Sequence, residues 1–124
     1  MLFLVFGLFM VMSCEDADDC ETTEAAAVLA SDMVDTASVN ESVAIEVEFD
    51  VYNGCGGYGG STIVTNGNIV TVTVDATYIG CTCTQAIERI EHTLNYTPTA
   101  AGTYVFEFKQ NNVVTHQDTL VVVQ

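Results

Sequence analysis

Val43-Ala44-Ile45-Glu46-Val47-Glu48-Phe49-Asp50-Val51 is the stretch that decides the fold. Val43, Ile45, Val47, Phe49 and Val51 alternate with Ala44, Glu46, Glu48 and Asp50. Successive side chains of a strand point to opposite faces. The segment therefore reads as a half-buried antiparallel strand with one apolar and one largely acidic side.

The same period of two recurs outward along the chain. Over 69–79, Val70, Val72, Val74, Ala76 and Tyr78 oppose Thr71, Thr73, Asp75 and Thr77. Further strands are expected at 90–96, 104–108 and 113–123, the last with a bulge near Asp118 where the alternation breaks. Shorter ones are expected at 26–34 and 61–65. Asn40-Glu41, Asn66-Gly67-Asn68, 99–102 and Gln110-Asn111-Asn112 punctuate these runs. Asn66-Gly67 is the strongest hairpin signal among them. No helical period is sustained after Ala25, although 24–34 fits helix or strand, and there is no internal repeat. The pattern predicts an all-β fold, an antiparallel β-sandwich of about seven strands over 25–124.

Pro98-Thr99-Ala100-Ala101-Gly102-Thr103-Tyr104-Val105-Phe106 resembles the approach to the penultimate strand of immunoglobulin-like domains. The resemblance implies that the Tyr104 hydroxyl bonds back to the preceding turn. Val39 to Val43 resembles the turn into the second strand of such domains. The chain departs from antibody domains in having no tryptophan, and Phe106 stands where their second core cysteine would be.

The N-terminus carries an address. Residues 1–12 are almost wholly apolar, which suits a signal-peptide core and is too short to span a bilayer. Val11-Met12-Ser13-Cys14 resembles the lipobox of bacterial lipoproteins, which implies cleavage after Ser13 and lipidation of Cys14. No Lys or Arg precedes the apolar run, a departure from the signal pattern. An ordinary cleaved signal with an incidental cysteine is the alternative. Six of the ten residues from 15 to 24 are acidic. The stretch 14–24 is therefore expected to be a lipidated cysteine with a flexible acidic tether, lacking apolar surface to offset its ordering entropy. It resembles the export signal of surface lipoproteins of the Bacteroidota. That resemblance implies the outer face of the outer membrane, with the periplasmic face as alternative.

Acidity narrows the partners. Seventeen acidic residues face only Arg89 and Lys109, a formal charge of -15. Such a chain repels phosphate backbones, which argues against nucleic acid, and anionic lipid surfaces are disfavoured. Asp16-Ala17-Asp18-Asp19 begins like a calcium loop but lacks the required glycine and terminal glutamate.

Chemistry, if present, concentrates in Asn53 to Gly60 and Gly80 to Cys83. Counting strand directions from Val43 puts Cys55, Cys81 and Cys83 at one end of the sandwich. A disulfide from Cys55 to Cys81 or Cys83 suits an oxidising compartment. It would close a loop of about 28 residues and stabilise by about 3.5 kcal/mol. One thiol is then left over, for Cys20 to meet, for reaction, or for pairing between chains. The alternative is a copper or zinc site from Cys55, Cys81, Cys83 and His92, since thiolate and imidazole suit both metals. Cys-x-Cys is not the usual zinc spacing. His92 is expected to point inward and His116 to sit near the start of the last strand. The glycines fit neither a P-loop nor a dinucleotide fingerprint. They are expected to permit positive φ in a tight loop, with Tyr58 as an exposed aromatic for protein or glycan contact.

Catalysis finds no support: there is no supported Ser-His-Asp order, no His-Glu-x-x-His and no acid pair in a pocket. Glu88 and Glu91 are expected to be solvated in a loop around Arg89. Asp35-Thr36-Ala37 and Asp118-Thr119-Leu120 resemble the O-glycosylation acceptor of the Bacteroidota. The expectation is a lipid-anchored surface protein, a non-catalytic binding or structural module needing no cofactor, with the metal-binding lipoprotein as alternative.

Overall fold

The computed structural model describes residues 20–124. The signal peptide expected over 1–13, the lipidation site Cys14 and the tether as far as Asp19 lie outside the described residues. The described chain is all-β. Its strands are β1 (Glu21–Ala26), β2 (Val28–Asp32), β3 (Thr36–Ser38), β4 (Val43–Val51), β5 (Gly56–Asn66), β6 (Ile69–Ile79), β7 (Glu88–Tyr96), β8 (Gly102–Gln110) and β9 (Val113–Val123).

Two sheets face one another. The smaller has the order β2-β4-β7. The larger links β1-β6-β8-β9-β3: β5 lines one edge of β6, and β1 (at 74–79) and β8 (at 69–72) share its other edge. The alternation at 43–51 is realised residue for residue: Val43, Ile45, Val47, Phe49 and Val51 are buried. They meet the inner faces of β6, β8 and β9, where Val70, Val72, Val74, Phe106, Phe108 and Leu120 are fully enclosed. Burial of these side chains, each contributing about 1.5–3 kcal/mol by leaving water, holds the sheets together.

Nine strands form where about seven were expected. The first expected strand is two, because the chain changes sheets at Ala27. β1 pairs with β6 in the larger sheet and β2 with β4 in the smaller. β3 adds a short strand parallel to β9. The sandwich is thus not purely antiparallel: β6 also runs parallel to β8. The β5–β6 hairpin causes this, since it lays its second strand beside β8 and its first at the edge.

Two local expectations are corrected. Residues 21–24, placed in the flexible tether, are strand: Glu21 to Glu24 pair with Ile79 to Ala76. The bulge is not at Asp118. The register slips at Thr115, opposite Phe108 and Lys109. The Thr115 hydroxyl shares its one proton between Val28 O (2.9 Å) and Phe108 O (3.3 Å), which anchors the extra residue. At the start of β8, the Tyr104 hydroxyl donates to Ala100 O at 2.7 Å, the back-bond that the immunoglobulin-like resemblance implied.

Candidate functional site

Five segments end together at one pole of the sandwich: the start of β1, the end of β4, the start of β5, the end of β6 and the 80–87 loop leading to β7. Two disulfides tie them. Cys20 bonds Cys81, and Cys55 bonds Cys83. The strand count from Val43 thus placed Cys55, Cys81 and Cys83 correctly at one end. Backbone bonds brace the same place: Gly80 N donates to Cys20 O (2.8 Å), Ile79 N to Cys55 O (3.1 Å) and Gly54 N to Thr84 O (2.9 Å).

Aromatic rings cap the frame. Tyr52 stacks on Tyr78 with centroids 4.1 Å apart, and Tyr52 N donates to the Tyr78 hydroxyl at 3.3 Å. A shallow depression beside them is lined by Tyr52, Asn53, Tyr78, Gly80, Gln85 and the cystines. Desolvation and the Glu24 carboxylate push the Tyr52 phenol above its ordinary value. Three apolar side chains at this end stand in solvent: Tyr52 is 51% exposed, Ile79 66% and Ile87 75%.

The glycines do something other than expected. Gly56 to Gly60 are not a loop but the first half of β5. Among Gly54, Gly56, Gly57, Gly59 and Gly60, only Gly60 has positive φ (146°), at the bulge between Tyr58 and Gly60. Gly56 is needed for room: a Cβ there would lie 2.5 Å from Val51 Cβ and 2.7 Å from Tyr78 Cε1. Close approach of backbone to core is the reason for this glycine.

Tyr58 is not the exposed contact residue it was expected to be. It is half-buried against the core and stacks on His92, with centroids 3.4 Å apart. Its hydroxyl donates to Ser61 Oγ at 2.8 Å. The stack joins β5 of one sheet to β7 of the other, so His92 does point inward, to close the sandwich flank. The proposed metal set is not brought together. Cys55, Cys81 and Cys83 have their sulfurs in disulfides, and no group of three or more metal-ligating side chains forms among the described residues. The leftover thiol of the cysteine count is taken by Cys20.

On the opposite flank lies an arrangement that local patterns could not reveal. Ser31 Oγ of β2 lies 2.9 Å from His116 Nε2 and donates to Asp118 Oδ2 at 3.0 Å. A serine has one proton. With it given to Asp118, His116 in its Nε2–H tautomer donates to Ser31. The trio clasps β2 to β9. Arg89 and Glu91 lie on β7 rather than in a loop. Arg89 bonds the Asp50 and Glu48 carboxylates on the outer face of the smaller sheet. Glu91 is held above the ordinary glutamate value by its hydrogen bond to Glu48 and by the charges of Glu46 and Glu48.

A family profile described as the ORF11 beta-sandwich domain matches residues 45–122. The chain belongs to the ORF11 beta-sandwich family. The matched span runs from Ile45 within β4 through nearly all of β9, and so takes in Cys55, Cys81, Cys83 and the Tyr52–Tyr78 stack of this ORF11 domain. No curated protein and no solved structure matches the chain.

Proposed function

We propose that this ORF11 beta-sandwich protein is a lipid-anchored cell-surface module that contacts a protein partner through its cystine-pinned end, without catalysis. The observation that carries the reading is the combination at that end. Two cross-links fix the backbone while Tyr52, Ile79 and Ile87 remain in solvent. A surface that is already rigid loses little conformational freedom on contact. Aromatic side chains are enriched at interface cores. The aliphatic pair Ile79 and Ile87 favours protein over glycan, which would use the Tyr52 ring alone. The disulfides fit an oxidising location, and the leader and Cys14 supply the anchor at the outer membrane.

The test is a pull-down from surface and extracellular proteins with the immobilised chain, beside a glycan array. The expected result is a retained protein that is lost with Tyr52→Ala plus Ile87→Ser and kept with Thr93→Ser. Retention that ignores the first variant, or binding confined to glycans, would overturn the protein-contact reading. Protease accessibility on intact cells tests surface display.

A further inference from the structure

An edge strand leaves one row of N–H and C=O groups unpaired, and folded proteins blunt such rows with charge, shortness or cover. Most edges here are blunted. β1 carries Glu21 and Glu24, and β3 is three residues long. β2 carries Asp32 and is clasped to β9 by Thr115 and Ser31. β7 carries Glu88, Arg89 and Glu91. β5 has none of these devices. It is 11 residues long, without a charge or a proline, and between Asp50 and Asp75 no residue is charged. It pairs with β6 on one side, and among the described residues no strand pairs its other side. Only its first half is interrupted by the bulge. From Gly60 to Asn66 the register is regular.

We infer that Ser61–Thr65 pairs antiparallel with the same segment of a second copy, about a twofold axis at Ile63. The segment is self-complementary, as a twofold interface requires. Ser61, Ile63 and Thr65 share the inner face: Ile63 packs on the core and Thr65 Oγ1 lies 3.0 Å from Tyr96 OH. Thr62 and Val64 share the outer face, where Val64 is 53% exposed. The axis sets Ile63 against Ile63, Thr62 against Val64 and Ser61 against Thr65. Every pair is neutral and dominated by β-branched residues, the kind that stabilises sheets. Two chains of formal charge -15 meet with least repulsion along an uncharged strand. Of the strands longer than three residues, β5 alone is uncharged.

Sedimentation equilibrium on the full chain tests this. The expected result is a two-chain species at millimolar concentration that strengthens with salt, because salt screens the repulsion between the acidic bodies. Val64→Asp alters two symmetry-related pairs and weakens the dimer roughly two- to thirtyfold. Thr93→Asp adds the same charge on β7 and leaves it within about twofold. In the unsubstituted chain, amides of 61–65 gain protection from hydrogen exchange as concentration rises. A monomer at every concentration and salt, equal weakening by both aspartates, or protection gained only on adding a foreign extended peptide would each overturn the inference.

Discussion

Replacing Cys55 and Cys83 together by alanine opens one cystine and leaves neither of its halves as a free thiol. The cystine spans 28 residues of sequence. In the chain-entropy account, closing a loop of that length stabilises by about 3.5 kcal/mol at 25 °C, and measured values often fall below this ceiling. A domain of this size has about 5–15 kcal/mol in total. The loss is therefore large without abolishing the fold, which the buried faces of β4, β6 and β8 still hold. With a urea slope of about 1–3 kcal/mol/M, the midpoint falls by about 1.2–3.5 M. Urea unfolding under non-reducing conditions, followed by far-ultraviolet circular dichroism, measures it. The Cys20–Cys81 cystine spans 61 residues, and its removal costs about 4.3 kcal/mol by the same account. Removing both costs less than the two losses added, because the loops overlap between Cys55 and Cys81. A midpoint within about 0.3 M of the parent after the first replacement would refute the reasoning.

Tyr104→Phe removes the 2.7 Å bond to Ala100 O and is expected to cost about 0.5–1.5 kcal/mol in the same assay. Gly56→Ala drives a methyl into Val51 and Tyr78 and is expected to cost about 1–3 kcal/mol, whereas Gly57→Ala meets open space and stays within about 0.5 kcal/mol. The raised Glu91 carboxyl binds a proton more tightly folded than unfolded. Stability therefore rises as pH falls through the folded value toward 4.5, and is lost as pH rises through that window. Carboxyl titration by NMR is expected to place Glu91 above 4.5 and to return it toward that value in Glu48→Gln.

The strands that pack through alternate side chains were legible in the sequence. The spans 69–79 and 113–123 coincide with β6 and β9, and the inner face of β4 is the set read from 43–51. What was not legible rests on long-range partners. Glu21-Thr22-Thr23-Glu24 has no apolar alternation of its own. It is a strand because β6 offers a ladder and Cys20–Cys81 pins its start. Gly56 to Gly60 read as loop because glycine is a poor strand former. They are strand because the backbone must lie close to Val51, Tyr78 and Thr77. The break in alternation near Asp118 read as a bulge. Its cause is that His116 and Asp118 face Ser31, a polar contact that no local pattern joins. Of the site, the clustering of the three later cysteines followed from strand direction. Their pairing and the Tyr52–Tyr78 stack did not, since both depend on where β1 enters and on a fold-wide approach of β4 to β6.

Mass spectrometry of a non-reduced digest, on protein extracted from its native membrane, tests the anchored, cystine-pinned module most directly. The account predicts an acylated N-terminal Cys14, with Cys20 joined to Cys81 and Cys55 to Cys83. An unacylated Cys14, or Cys55 joined to Cys81, would contradict it.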